Sequence, residues 1–315
     1  MTPCHLETLV MMEENYRSDD METEDTLISN VMKQSRQLTE DAVVFPTGIA
    51  ALDEQIKGFQ WGELITLLAY PGDDKLNLAL RIISYQAVDN GISSAYFCTR
   101  ETPEVVVRRL TCYRGSLLPN RLLDYEITGE PHEWKDWING IREQIAASPI
   151  YLYPNKKMST LDLCEQCMAY AKLCNVIYIY LSKDAIKDDV VCKLKSLACR
   201  MHVVIVLLID VLGERSGLDK QPSFRDLAFC QLDEYSDIVI GFVDGDALDV
   251  VTDDNGTLLA GKVRFQVVKD RCNKQLEPFY LNPLGMFLRE YSEPPGMPSM
   301  PPEDNTGIYS TFDGE

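Results

Sequence analysis

Residues 69–80 read AYPGDDKLNLAL, and their types and order are those of a loop that binds phosphate. An apolar run from Glu63 to Ala69 leads into this stretch, and a helical pattern that starts at Leu76 leads out of it. In such a loop the backbone N–H groups and the helix N-terminus bind phosphates, while a lysine reaches the outer ones. The residues that would form the loop are Pro71, Gly72, Asp73, Asp74, Lys75 and Leu76.

Two positions of this loop depart from a working phosphate site. A glycine is required just before the lysine and a Ser or Thr just after it, but these positions hold Asp74 and Leu76. Asp73 and Asp74 also place carboxylates at an anion site, where one charge about 5 Å from a phosphate charge costs roughly 3 kcal/mol. We therefore expect a vestigial nucleotide site and assign no cofactor. ATP with Mg²⁺ would bind only if the degenerate loop still holds phosphate.

The rest of the chain must supply the elements that position this loop. Uniformly apolar runs alternate with helical patterns, which is typical of a parallel sheet covered by helices on both faces. Late hairpin-like segments predict antiparallel strands at one edge, so we expect an α/β fold with a mostly parallel central sheet. Strands are predicted at 63–69, 94–99, 149–153, 176–181, 203–209, 237–243, 262–268, 279–281 and 286–291, and helices at 76–88, 103–114, 159–173 and 188–201.

Charge distinguishes the two ends of the chain from its middle. The chain carries 30 basic and 49 acidic residues, a net charge of −19, and both ends are acidic. Residues 1–42 are predicted to be an acidic segment with one amphipathic helix at about 25–38, and residues 292–315 a disordered, Pro-rich tail. The compact domain is expected over 43–291. Because a chain this acidic binds nucleic-acid phosphates poorly, binding to single-stranded DNA is expected to be weak or absent.

Hydropathy and cysteine usage predict a cytoplasmic protein. No run of about 18 apolar residues is present and the N-terminus is too acidic for a targeting signal, so no membrane association is expected. The ten cysteines lie mostly in apolar stretches, as at Cys98, Cys174, Cys199 and Cys230, which is typical of reduced, buried thiols. The spacing of the cysteines and histidines predicts no metal site.

The order of motifs resembles the C-terminal RecA-like ATPase domain of DnaB-family replicative helicases. The stretch TGIAALDEQIKGFQWGELITLLAYPGDDKLNLALRI is similar to the family's T-G-x-x-x-L-D, G-[LF]-x-x-G-[DE]-L-I and A-x-P-x-x-G-K-T motifs. Further on, the segments AYFCTRETPEVVVRRL, VIYIYL, DEYSDIVIGFVDGD and VRFQVVKDRCNK are similar to later family motifs in the same order. The resemblance spans roughly residues 43–291 and implies a RecA-like P-loop NTPase fold.

The resemblance also implies an ATPase site whose other parts are altered. The family's strand-end Glu, which acts on the attacking water, falls at Arg100, and a shift of one residue would place Glu101 there instead. The segment VIYIYL has no Asp at the Walker B position, and Ile209 and Asp210 replace the polar Ser and Gln that end the next strand. Changes at four separate elements of one site predict that ATP hydrolysis has been lost.

Two further groups of residues take candidate roles from the resemblance. Lys269 and Arg271 keep the K-x-R spacing of the family's trans-acting lysine and arginine finger, which reach the site of a neighbouring subunit. The alternative interpretation is that they are two solvated charges at a strand end. Arg215, Lys220 and Arg225 fall in the loop where the family contacts DNA, although acidic neighbours leave this loop nearly neutral.

Three functions are consistent with these patterns. The first is a DnaB-helicase-like pseudo-ATPase that acts in or regulates DNA replication through protein partners. The second is an active ATP-dependent 5'-3' DNA helicase with an atypical site, and the third is a RecA-fold scaffold without a nucleotide or DNA role. Lys269, Arg271 and the 25–38 helix, which resembles the family's linker helix, favour the first. The partner would be a second copy of the chain or a replicative helicase.

Overall fold

A computed structural model of the chain describes residues 44–71, 75–154, 158–181, 189–211, 221–227, 231–244, 252, 256, 261–272, 276–284 and 287–289. The helix predicted at 25–38, the tail predicted at 292–315 and loop residues 72–74 lie outside this part of the chain. Arg215 and Lys220 of the predicted DNA loop also lie outside it.

Most of the described strands form one mixed sheet. In chain order they are β1 (Val44–Phe45), β2 (Phe59–Gln60), β3 (Leu64–Ala69), β4 (Ser94–Phe97), β5 (Ile150–Tyr153), β6 (Val176–Leu181), β7 (Val204–Asp210), β8 (Ile238–Asp244), β9 (Val263–Lys269), β10 (Phe279–Leu284) and β11 (Phe287–Arg289). Within the described residues, nine of them form one sheet in the order β11-β10-β9-β8-β3-β7-β6-β4-β5, and β1 pairs with β2. In this order, each strand from β8 through β3, β7, β6 and β4 to β5 pairs parallel with the next, whereas β8, β9, β10 and β11 pair antiparallel. This mixed sheet confirms the predicted fold class.

Helices cover both faces of this sheet. They are α1 (Ala50–Ile56), α2 (Lys75–Ile83), α3 (Pro103–Gly115), α4 (Pro119–Thr128), α5 (Trp134–Ala147), α6 (Thr160–Tyr170), α7 (Val190–Met201) and α8 (Leu232–Tyr235). One apolar cluster joins α2, α3 and α5 to Ile65 and Leu67 of β3, and a second joins α6 and α7 to Leu64 and Leu68. Alternate residues of a strand face opposite sides, so the two clusters lie on opposite faces. Among the described helices, none is long and apolar enough to cross a lipid bilayer.

The central strands bring polar groups to one edge of the sheet. Every residue of β3 and β6 is buried, and β7 is buried up to its last residue, Asp210, which is partly exposed. Apolar side chains on both faces hold these strands in the middle of the sheet. The carboxyl ends of parallel strands form the edge at which open α/β sheets bind ligands. Asp210 therefore lies where the predicted nucleotide site should be.

Cysteine burial only partly follows the prediction from sequence. Cys98 and Cys174 are buried as predicted, whereas Cys199 is exposed. Cys199 lies in the last turn of α7, on the side of the helix away from buried Leu194 and Leu197, and its thiol donates to a backbone carbonyl at 3.4 Å. A cysteine that is surrounded by apolar residues in the sequence can thus face solvent, because another face of its helix, the apolar stripe, packs on the sheet. Cys230 lies outside the described residues.

Candidate functional site

Lys75 is the first residue of helix α2, just beyond the loop that follows strand β3. Its side chain is only 2% exposed, so the amine lies inside the protein. The Nζ atom donates hydrogen bonds to the carbonyl oxygens of Ala69, at 3.3 Å, and Tyr70, at 3.1 Å. Because neutral carbonyls do not fully replace lost water, a buried ammonium group also needs an anionic partner.

Asp210 supplies the negative charge beside this lysine. The register of β7 with β3 pairs Asp210 with Ala69, and the Val211 N–H donates to the Ala69 carbonyl at 2.9 Å. The carboxylate oxygen Oδ1 lies 2.6 Å from Lys75 Nζ, and the Asp210 side chain is 19% exposed. The lysine of the predicted phosphate loop is therefore neutralised within its own chain.

Tyr180 of strand β6 binds the other oxygen of the Asp210 carboxylate. Its hydroxyl donates to Oδ2 at 2.5 Å, and Arg100 Nη1 donates to the same hydroxyl at 2.6 Å. Burial raises the pKa of Tyr180 above its ordinary value, and the hydrogen bond to Asp210 raises it further. The phenol therefore stays protonated at neutral pH and remains a donor to the carboxylate. We call Lys75, Asp210, Tyr180 and Arg100 the Asp210 network.

Arg100 lies on the solvent side of the Asp210 network. Its guanidinium carbon lies 5.2 Å from the centre of the Tyr180 ring, and Nη1 lies 3.9 Å from the second carboxylate oxygen of Asp210. The electrostatic effect of Tyr180 is the largest cause of the raised pKa of Arg100, and the charge of Asp210 contributes in the same direction. Two cations thus flank one carboxylate: Lys75 from the interior and Arg100 from the surface.

The described side chains at this edge do not fit a Mg²⁺-bound nucleotide. Leu76, where a hydroxyl would ligate Mg²⁺, is buried in the apolar core. Tyr178 of strand β6 is fully buried, and its hydroxyl is bonded within the core. Lys75 contacts one oxygen of the Asp210 carboxylate and Tyr180 donates to the other, so a metal ion here would share this carboxylate with a buried ammonium group. Elsewhere in the described part of the chain, no group of three His, Cys, Asp or Glu side chains could hold a metal ion.

Comparison with known proteins assigns this domain to a family. The family model described as "DnaB-like helicase C terminal domain" matches residues 44–275. The chain belongs to this family. Over 197 residues it is 24% identical to "Replicative DNA helicase DnaB" of Geobacillus stearothermophilus, a match that covers 58% of this chain and 43% of that protein. The chain thus spans less than half the length of this curated relative.

Solved structures show the same fold for this DnaB-like domain. A structure described as an ATPase domain has a TM-score of 0.69 at 18% identity, covering 84% of this chain and 96% of that one. A second, described as a DnaB-like replicative helicase and its interactions with primase, has a TM-score of 0.67 at 17% identity. That match covers 89% of this chain and 70% of the other. At these identities the likeness establishes the RecA-like fold of the DnaB-like domain.

Either Arg100 or Glu101 corresponds to the strand-end glutamate that the resemblance implies for this DnaB-like domain. Arg100 joins the Asp210 network, whereas Glu101 contacts a different group. The Glu101 oxygen Oε2 accepts a hydrogen bond from the buried Tyr96 hydroxyl at 3.4 Å. Burial, followed by the charge of Glu101, raises the pKa of Tyr96, so this phenol also stays protonated. The side chain that the structure places beside Asp210 is therefore a cation rather than a general base.

Lys269 and Arg271, the candidate trans-acting pair, both bind groups of their own chain. Arg271 follows strand β9 in a turn, and its guanidinium donates to both carboxylate oxygens of Glu63, to the Gly58 carbonyl at 2.8 Å and to the Ile56 carbonyl. Lys269 donates to two backbone carbonyls near helix α8, at 2.5 and 2.7 Å. Burial lowers the pKa of Lys269. Both side chains are therefore hydrogen-bonded within their own chain and are partly exposed.

The bidentate pair of Arg271 and Glu63 leads to a stability prediction. Glu63 is only 9% exposed at its side chain, so Arg271→Ala leaves a nearly buried carboxylate without its partner. We expect this change to lower the free energy of unfolding by about 2 kcal/mol, measured by urea denaturation. The control is Arg225→Ala, at an exposed position, which we expect to change it by less than about 0.5 kcal/mol. Equal, small effects of both changes would contradict a stabilising role for Arg271.

The T-G-x-x-x-L-D motif has a local structural role in this domain. The Asp53 carboxylate accepts hydrogen bonds from the Thr47 N–H at 2.9 Å, the Thr47 hydroxyl at 2.8 Å and the Gly48 N–H at 3.1 Å. Gly48 has φ +73, a left-handed conformation, and an added Cβ would lie 2.3 Å from the Tyr85 ring. The motif therefore fixes the chain that enters α1 and does not contact the Asp210 network.

The sequence analysis named Lys75, Arg100 and Asp210 separately, but it predicted neither their association nor the part of Tyr180. Asp210 was expected only as a replacement for the polar Gln that ends the strand in the family, whereas it pairs with Lys75. The signal that could have found this pair is a lysine and an aspartate that both follow apolar strands at the same edge of a parallel sheet. The DNA-loop candidates remain a prediction, because only exposed Arg225, in the short 3-10 helix Phe224–Asp226, lies in the described chain.

Proposed function

We propose that this DnaB-like domain does not hydrolyse ATP and that it acts in, or regulates, DNA replication through protein partners. The observation that carries the proposal is the ion pair of Lys75 with Asp210, 2.6 Å apart in the protein interior. Phosphoryl transfer on this fold needs the lysine for phosphate, a metal-ligating hydroxyl and a group that orients water. Lys75 is already paired, Leu76 has no oxygen, and Arg100 is a cation.

An active ATP-dependent 5'-3' DNA helicase with an atypical site is the second candidate. Retention of Lys75 at the start of α2 favours it, as does Glu101 one residue from the expected base. Activity would require Asp210 to leave Lys75, and Glu101 to leave Tyr96. Metal and general-base catalysis each contribute orders of magnitude to rate. Leu76 in place of the metal-ligating hydroxyl and Arg100 in place of the base therefore favour an inactive domain.

The proposed partner is a second copy of the chain or a replicative helicase. One structural neighbour is described with its interactions with primase, which supports a role of this fold in contacts between replication proteins. For Arg271 to act as an arginine finger on a neighbouring subunit, its guanidinium must leave the Glu63 carboxylate and bind a phosphate of the nucleotide in that subunit. Direct binding of single-stranded DNA is proposed to be weak, because the net charge of −19 opposes contact with a phosphate backbone.

A steady-state ATPase assay with Mg²⁺ and single-stranded DNA tests the absence of hydrolysis. We expect the unmodified protein to release phosphate no faster than the Lys75→Ala variant, because the missing metal and base contributions each amount to about 10²-fold or more. Both proteins are checked for a cooperative thermal transition before the assay. Turnover that DNA stimulates and that Lys75→Ala abolishes would establish the active helicase instead.

A further inference from the structure

The carboxylate of Asp210 is bound to Lys75, the lysine of the predicted phosphate loop. Asp210 is the last residue of strand β7, at the carboxyl edge of the sheet, and it pairs with Ala69 at the end of β3. The ion pair joins Oδ1 to Nζ at 2.6 Å, with the lysine side chain 2% exposed. A phosphate loop uses this amine to bind an anionic oxygen of its ligand. Here an anionic oxygen of the chain itself is already bound to it.

We infer that Asp210 is an internal counter-ion that closes the nucleotide site, so that Lys75 binds a polyphosphate anion only when the Asp210 carboxylate is removed or displaced. The inference rests on the proposed function in treating the site as non-catalytic. It goes further by naming the group that excludes the ligand and the chemical class excluded. That class is a chain of phosphates, whether free or part of a nucleotide.

Exclusion follows from the charges and the geometry of the pair. A phosphate oxygen at Lys75 would take the position of Asp210 Oδ1 and would meet the charge of the displaced carboxylate nearby. Burial makes this competition stronger, because like charges at a water-poor site repel each other more than at the surface. Loss of the carboxylate would instead leave a buried ammonium group with a deficit of negative charge, which an anion can supply.

Tyr180 is a positioning residue for this counter-ion. Its hydroxyl donates to Oδ2, which turns Oδ1 toward Lys75, and Arg100 donates to the Tyr180 oxygen at 2.6 Å. The backbone bond from Val211 to Ala69 fixes the position of the Asp210 main chain. The carboxylate is thus held by its backbone, by a phenol and by an amine, so the pair forms without any ligand.

Thermal unfolding with sodium tripolyphosphate, without metal ions, tests the inference. At about 1 mM anion we expect the Tm of Asp210→Asn to rise by about 5 °C or more, because a ligand that binds only the folded state stabilises it. The Tm of the unmodified protein is expected to change by less than about 1 °C. Asp124→Asn, at an exposed position of α4, removes the same charge and should behave like the unmodified protein. Lys75→Met combined with Asp210→Asn should also not respond, since the amine is then missing.

Each outcome of this experiment decides the inference. A shift in the unmodified protein equal to that in Asp210→Asn would overturn it, and so would the absence of a shift in the folded variant. If Asp210→Asn does not fold in buffer, refolding with tripolyphosphate should restore a cooperative transition, and failure to restore it also counts against the inference. Failure here would leave the absence of ATP turnover intact, whereas turnover by the unmodified protein would contradict the proposed function itself.

Discussion

Lys75→Met or Asp210→Leu alone is expected to lower the free energy of unfolding by about 3 kcal/mol. The double variant should lower it by much less than the sum of the two single changes. Each single change leaves one charge in the interior without its partner 2.6 Å away. The double change removes both charges and puts apolar groups in their place. Urea denaturation of the four proteins gives the coupling energy, which we expect to be about 3 kcal/mol.

An exposed ion pair of the same chain serves as the matched control. Lys193 and Asp189 lie 3.0 Å apart in helix α7 and its N-cap, but both side chains are more than half exposed. The same cycle with Lys193→Met and Asp189→Leu should give a coupling energy below about 0.5 kcal/mol. Equal coupling energies for the two pairs would show that burial does not strengthen the contact between Lys75 and Asp210.

The buried strands were predictable because their patterns are local. The apolar runs of β3, β6 and β7 are buried on both faces, which requires no knowledge of distant residues. Helices α4 and α5 were not predicted; most residues of α4 are exposed, whereas α5 has three buried isoleucines at helical spacing, Ile138, Ile141 and Ile145, a pattern that could have been recognised. Of the ten residues of α4, only Leu122 is buried. Both helices pack against α3, and the sequence pattern does not reveal this contact between separate segments.

The chemistry of the site was predictable only in part. Leu76 in place of a hydroxyl and Arg100 in place of a carboxylate are visible directly in the sequence. The contact between Lys75 and Asp210 is not, because it joins residues 135 positions apart and depends on β7 lying next to β3. Arg271 and Glu63 show the same limit, since two recognised motifs bind each other across 208 positions. Pairing of distant charges follows from sheet order rather than from local spacing.

Repair of the loop is expected to restore nucleotide binding only when Asp210 is replaced as well. The variant Asp74→Gly/Leu76→Thr removes one repelling charge and supplies a hydroxyl, yet it keeps the counter-ion on Lys75. Adding Asp210→Gln, the residue type that the resemblance implies there, should tighten Mg²⁺-ATP binding by about tenfold or more, or about 1.4 kcal/mol. Isothermal titration calorimetry on the two variants measures this difference.

Two checks support the interpretation of this repair experiment. Leu76 is buried in the core, so Leu76→Thr is expected to cost about 2 kcal/mol of stability, and both variants must be titrated below their thermal transitions. Lys75→Met in the repaired background should abolish the added affinity, since the amine is the proposed phosphate ligand. Equal affinities with and without Asp210→Gln would mean that the carboxylate does not close the site.

Calorimetric titration of the unmodified chain with Mg²⁺-ATP is the most direct test of whether the site is closed. We expect no saturable heat up to about 1 mM nucleotide, which corresponds to a binding free energy weaker than about −4 kcal/mol. The expectation follows from Lys75 already being paired with Asp210, and from Leu76 having no oxygen for the metal ion. A dissociation constant in the range of about 1 μM, lost in Lys75→Met, would contradict it.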